Sequence, residues 1–115
     1  MSKLDELIKE LCPDLPAGRQ VGWKPWFAYV LLCEDGSLYK GHTNDIARRY
    51  EEHCNGYGAE HTKKHKPVRI VLLEGLDTME DAVKKEKYYK SGCGREWLKA
   101  NVKEDETICL NLMNG

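Results

Sequence analysis

Eight consecutive residues, Trp26 to Cys33, are almost wholly apolar, and four residues of turn chemistry, Glu34-Asp35-Gly36-Ser37, follow them directly. A run of that length without alternation suits a central strand covered on both faces. An Asp-Gly pair between strand-like runs is a strong short-range signal for a hairpin, with Ser37 to Gly41 as the returning strand. The hairpin carries Tyr29 and Tyr39 close together.

The cover for this hairpin is legible on either side of it. Thr43-Asn44-Asp45 reads as a helix start, with Ile46, Tyr50 and Cys54 as its inward stripe and Arg49 and His53 at i, i+4 on one side. Asn55-Gly56-Tyr57-Gly58 is too glycine-rich for regular structure and suits a loop over a site. Lys66-Pro67 starts a third strand, Val68 to Leu73. Thr78-Met79-Glu80-Asp81 resembles a capping box, and Met79, Ala82 and Val83 mark the inward stripe of the helix it opens. Lys90-Ser91-Gly92-Cys93-Gly94 closes that helix with glycine, and Arg95 to Ala100 starts a short further one. The weakly alternating tail from Thr107 to Met113 suits an edge strand.

Leu4, Leu7, Ile8 and Leu11 recur at helical spacing after a Ser2 cap, so residues 2 to 12 form an amphipathic helix. The turn-rich stretch Pro13 to Pro25 makes that helix an appendage. Its apolar face needs the domain, a second copy or a protein partner to cover it. The expected organisation is a helix and linker over 1–25, a main domain over 26–103 and a tail over 104–115. The expected fold class is α/β (α+β), with a small three-stranded, mainly antiparallel sheet flanked by helices.

A chain of 115 residues, 41% hydrophobic and 32% charged, is a single soluble domain with one modest core. It has neither an apolar run near the 18 residues of a membrane span nor a signal peptide, so a cytoplasmic protein is expected. The cysteines, Cys12, Cys33, Cys54, Cys93 and Cys109, are scattered and lack a CxxC pair, which points to reduced, mostly structural thiols. His53, Cys54, His61 and His65 match no common zinc spacing. The net charge of −1 hides segregation: from Val83 to Lys103 seven basic residues face two acidic ones, and Lys63, Lys64, Lys66 and Arg69 form a second basic cluster. Such clusters can hold a phosphate backbone, or simply form solvated faces.

Glu86 is the next position of the inward stripe after Ala82 and Val83. An unpaired carboxylate facing a core costs several kcal/mol, so it needs a cation, a metal or an opening to solvent. Lys90 at i+4 offers an ordinary helical ion pair as the plainer explanation.

The order Tyr29, Tyr39-x-Gly41, Arg49, Glu86 resembles the GIY-YIG nuclease domain over about residues 26 to 100. Leu38-Tyr39-Lys40-Gly41-His42-Thr43-Asn44-Asp45, Ala47-Arg48-Arg49-Tyr50-Glu51-Glu52-His53 and Lys84-Lys85-Glu86 are similar to the small stand-alone bacterial members. The resemblance implies Tyr29 and Tyr39 as the two motif tyrosines, Gly41 as the motif glycine, Arg49 as the family arginine, His53 as the histidine one turn later and Glu86 as the single metal ligand. Ala28 replaces the leading glycine of the first motif, and Lys40 stands where an apolar residue is usual. Asn101 and Asn111 both compete for the late asparagine of some relatives.

Phosphodiester hydrolysis needs a deprotonated water and charge neutralisation on the phosphate. A lone glutamate suits one Mg²⁺ or Mn²⁺ that keeps most of its waters. Arg49 is then expected to neutralise phosphate charge, with Tyr39, or second Tyr29, as the base towards water and His53 as its tuning group. Lys63, Lys64, Lys84 and Lys85, with Gly41, are the expected substrate contacts. The expected function is a metal-dependent DNA endonuclease, structure-directed or non-specific, in repair or recombination. A catalytically weak nucleic-acid-binding module and an interaction subunit are the alternatives.

Overall fold

The computed structural model describes residues 3–11 and 22–114, apart from the side chain of Asp5. Its elements run α1 (Lys3–Leu11), β1 (Trp26–Cys33), β2 (Leu38–Thr43), α2 (Ile46–Cys54), α3 (Glu60–Lys64), β3 (Pro67–Leu76), α4 (Met79–Lys90), α5 (Gly92–Asn101) and β4 (Ile108–Leu110). The expected Ser2 cap, Cys12 and most of the Pro13–Pro25 linker, with Arg19, lie outside the described residues.

The apolar run is β1, and it is central. The strand order is β2-β1-β3-β4, with β1 antiparallel to β2 and β3 and β3 parallel to β4. The turn closes as the Asp-Gly pair predicts: Gly36 N donates to Cys33 O at 2.9 Å, Cys33 N donates to Ser37 O at 2.9 Å, and Gly36 takes φ +86°. Glycine adopts that left-handed conformation without steric cost.

Side chains of β1 alternate between two cores. Phe27, Tyr29 and Leu31 pack with Ile8 of α1, Ile46 of α2, Ile70, Leu73 and Leu112. Ala28 and Val30 pack with Val71, Leu72, Tyr89 of α4 and Leu98 of α5. Val71 and Leu72 are neighbours in sequence yet share a face because the β1/β3 register shifts there: Val30 pairs Leu72 and Leu31 pairs Ile70. The bulge inserts Val71 as the unpaired residue. Each fully buried aliphatic or aromatic side chain contributes about 1.5–3 kcal/mol.

The domain itself covers the apolar face of α1. Ile8 is 1% exposed within the first core, and Leu4, Leu7 and Leu11 pack against it. Thus α1 is docked, not an appendage.

The sheet has four strands where three were expected. The fourth, β4, is only three residues long and pairs in parallel, through Leu72↔Ile108 to Glu74↔Leu110. A parallel neighbour needs a long crossover, supplied here by α4 and α5, so no local turn announces it. Two helical expectations are also corrected. Ser91, not a glycine, ends α4, and the same residue caps α5, its hydroxyl accepting from Gly94 N at 3.2 Å. Gly94 lies in the first turn of α5, where a Cβ would collide with the Tyr88 carbonyl. Met79 is 51% exposed, and the buried stripe is Ala82 and Tyr89. Tyr89 anchors α4 by donating to Glu74 Oε1 at 2.6 Å. Cys33, Cys54 and Cys93 are free thiols, whereas Cys109 is disulfide-bonded and departs from the expected reduced state. Among the described residues no helix is long and apolar enough to cross a membrane.

Candidate active site

Tyr29 pairs with Gly41 across the β1/β2 ladder, so both face α2. A Cβ on Gly41 would lie 2.5 Å from the Tyr29 hydroxyl oxygen and 2.6 Å from Cζ, which shows how closely the phenol passes over that position. The backbone of Gly41 is not left-handed, so what this position requires of glycine is space. Beyond Gly41 the phenol meets α2, with 2.9 Å between its oxygen and His53 Nε2.

His53 is fully buried and held on every side. Its Nδ1 lies 2.7 Å from Thr62 Oγ1 of α3, and that hydroxyl donates to the Ala59 carbonyl at 3.0 Å. Gly58 lies so near the ring that a Cβ there would collide with Nδ1. Burial, reinforced by the charge of Arg49, pushes the imidazole down to about 4, so it is neutral near pH 7. Burial pushes the Tyr29 phenol up to about 12, an effect that its hydrogen bond from Arg49 partly offsets.

Tyr39 follows on the same face of β2. Its ring centroid lies 5.0 Å from His53, 6.4 Å from Tyr29 and 6.0 Å from His61, and it is half-buried. Ser37 fixes His61 by a 2.7 Å hydrogen bond to Nε2 while donating to Asp35 Oδ1. Arg49 sits one turn before His53 on α2, half-exposed, and donates to Glu52 Oε1 at 3.2 Å. One guanidinium can hold Glu52 and Tyr29 and still present N–H groups outward, because it carries five donors.

Glu86 approaches from the opposite face. On β2, His42 points towards α4, and its Nδ1 lies 2.8 Å from Glu86 Oε1; Lys90 Nζ donates to Oε2 at 2.7 Å. Burial favours the protonated acid, but Lys90 and His42 outweigh it and hold the carboxyl below its ordinary range. Glu86 is therefore ionised, and its charge in turn raises the Tyr29 phenol. The two faces communicate through the sheet edge at Gly41, where no side chain intervenes. Lys40 shares the α4 face of β2 and is half-buried; burial, with the nearby charges of Arg95 and Lys90, lowers its pKa.

Among the described residues no three His, Cys, Asp or Glu side chains converge as a metal cluster. A carboxylate offers about four lone-pair positions, and His42 and Lys90 occupy one on each oxygen. The remaining oxygen chemistry suits a hard divalent cation that keeps most of its water, and Glu86 is the residue to hold it.

The expected lysines divide. Lys63 and Lys64 are exposed on α3, the helix that carries Thr62. Lys84 and Lys85 instead line a groove with Leu76, Asp81 and Tyr88. Lys85 lies 3.5 Å from Glu74 and over the Tyr88 ring at 5.5 Å, so its charge is engaged away from β2. Asn101 donates to Trp97 O on α5, and Asn111 is exposed in a left-handed bend after β4.

Sequence reasoning missed Thr62, Gly58 and His42. The signal for His42 was its alternation with Gly41 along β2; Thr62 and Gly58 carried none, because their partner is reached only through the fold.

The family pattern described as the GIY-YIG catalytic domain matches residues 25–98. A UPF0213 protein of Staphylococcus saprophyticus is 41% identical over 73 residues, covering 64% of this chain and 89% of its own. The UPF0213 protein YazA of Bacillus subtilis is 41% identical over 64 residues, 56% of this chain and 65% of its own. The solution structure of a UPF0213 protein from Bacillus halodurans is similar over 65% of this chain and 82% of its own, with 35% identity and a TM-score of 0.41.

Proposed function

Because the chain belongs to the GIY-YIG family, we propose that it is a metal-dependent endonuclease that hydrolyses DNA phosphodiester bonds with one ion. The observation that carries this reading is the convergence at Gly41. Tyr29, Tyr39, Arg49 and His53 lie on one face of the β2 edge and an ionised Glu86 on the other.

Glu86 would hold the ion, which when bound supplies charge neutralisation at the phosphate and the leaving oxygen. Arg49 turns its outward N–H groups to the phosphoryl oxygens, where preorganised donors act most strongly in a partly desolvated site. The Tyr29 proton stays in place: moving it to His53 spans the gap between about 12 and about 4, on the order of 10 kcal/mol. Tyr29 therefore anchors Arg49. Tyr39, half-exposed beside it, is the general base that takes the proton of the attacking water. A free phenol ionises only near pH 10, so this role depends on the cationic surroundings of the loaded site.

The exposed Lys63 and Lys64 support contacts to flanking phosphates, which position a duplex without reading its sequence. With base readout confined to the surface of so small a domain, the substrates are branched, flapped, damaged or unselected DNA, as repair or recombination would supply.

The test is cleavage of labelled single-stranded, duplex, flap, fork and four-way-junction DNA with Mg²⁺, Mn²⁺ or chelator. Metal-dependent cutting is expected from the wild type and should fall by several powers of ten in Glu86→Gln and Tyr39→Phe. Equal cutting by Glu86→Gln would sink the proposal. Metal-independent binding without cutting by any form would make the chain a binding module instead.

A further inference from the structure

His53 has two nitrogens and two partners, and the partners decide which nitrogen carries the proton. Thr62 Oγ1 has a single hydrogen, directed to the Ala59 carbonyl at 3.0 Å. Towards His53 Nδ1, 2.7 Å away, that oxygen can only accept. The imidazole is neutral, so a proton on Nδ1 leaves Nε2 as a bare lone pair facing the Tyr29 hydroxyl at 2.9 Å. Tyr29 must then donate to His53, and its own lone pairs are left for Arg49, which donates to the phenol.

The opposite tautomer breaks this chain at both ends. Thr62 would have to release Ala59 to donate to Nδ1, and Nε2–H would meet the phenol as a donor, leaving its hydrogen without an acceptor. All three groups are buried, where an unmet donor costs about 1–3 kcal/mol.

We propose that Thr62 is a positioning residue that locks His53 in its Nδ1–H tautomer, turns the Tyr29 hydroxyl hydrogen inward and so aims Arg49 at the phosphate. This rests on the nuclease reading for its consequence, though the lock itself can be observed without catalysis. Thr62 comes from α3, outside the run of helix α2 that supplies Arg49 and His53, so α3 and the Asn55–Ala59 loop before it are part of the site's frame. Gly58, pressed against the same ring, closes the space in which the imidazole could rotate. The tautomer of a functional histidine is commonly set by the hydrogen bond at its other nitrogen.

The experiment is nitrogen-15 NMR of the histidine rings at neutral pH, with steady-state cleavage, for the wild type, Thr62→Ser and Thr62→Val. The wild type and Thr62→Ser should show His53 protonated at Nδ1 and bare at Nε2. In Thr62→Val the Nδ1–H population should fall and kcat should drop about 10- to 100-fold with KM little changed, as for other outer partners of functional histidines. Thr62→Ser should restore both. An Nε2–H tautomer in the wild type overturns the lock even if Thr62→Val fails to fold. An unchanged tautomer in folded Thr62→Val overturns it too, and unchanged kcat there removes the positioning role. If the wild type cuts no DNA, the nuclease reading falls, while the ring nitrogens still decide the lock.

Discussion

Placing a methyl group on Gly41 attacks the site at the point where its two faces meet. The added carbon would lie 2.5 Å from the Tyr29 hydroxyl oxygen and 2.6 Å from Cζ, against about 3.5 Å for a comfortable carbon contact. About 1 Å must be found. A flexible side chain would swing away, but Tyr29 is 1% exposed, and its hydroxyl is stopped by His53 at 2.9 Å, itself pinned between Gly58 and Thr62. The compliant partner is β2, an edge strand paired only with β1. Lifting it strains the Tyr29↔Gly41 register and lengthens the Tyr29–His53 bond. Overpacking of a well-filled core costs about 1–3 kcal/mol, and a lost buried hydrogen bond adds about 1 kcal/mol, so Gly41→Ala should be destabilised by roughly 2–4 kcal/mol. A displacement near 1 Å at the reacting groups costs about 10²-fold in rate. Urea denaturation and single-turnover cleavage read the two effects separately. A double-mutant cycle with Tyr29→Phe identifies the cause: part of the clash vanishes with the hydroxyl, so the two losses should be less than additive. Gly41→Ala within about 0.5 kcal/mol of the wild type, or strictly additive losses in the cycle, would refute the packing argument.

Two further outcomes follow from buried polar groups. His53 is held at about 4 in the fold, against about 6.5 for free imidazole, so between those values the unfolded chain binds the proton that the folded one refuses. Its contribution to stability is complete above about pH 6.5 and is lost as pH falls towards 4, roughly 3 kcal/mol over that window. Denaturation between pH 4 and 7 should show a steeper slope for the wild type than for His53→Gln, and identical slopes would reject the assignment. Tyr89→Phe removes the hydroxyl that Glu74, 5% exposed, accepts from, leaving that carboxylate to Lys85 alone. Stability should fall by about 1–3 kcal/mol with the cleavage rate unchanged, and a comparable loss of rate would tie this face to the chemistry.

Much of the molecule follows from short stretches of chain. Turn chemistry at Asp35-Gly36 and the apolar run before it determine the β1–β2 hairpin, and the caps Asp45 and Thr78 open α2 and α4 as their side-chain hydrogen bonds confirm. Periodicity puts Arg49 and His53 on one side of α2 and Tyr39 and Gly41 on one face of β2. These are local matters, decided by φ/ψ preference and by spacing of 2 or 3.6 residues. What the tertiary structure alone decides is every pairing between distant residues. Glu86 meets His42 across 44 positions, and Tyr29 meets His53 across 24. Lys85, adjacent to Glu86, is turned to Glu74 because neighbouring helical residues point about 100° apart. A one-residue bulge sends Val71 and Leu72 to the same core, and a three-residue strand joins in parallel after a two-helix crossover. Thr62 reaches His53 only because the chain doubles back through Asn55–Ala59. No periodicity encodes these contacts, since each depends on how packed elements close against one another. The residue types of the site are thus written along the chain, while the proton positions and the directions of its charges belong to the fold.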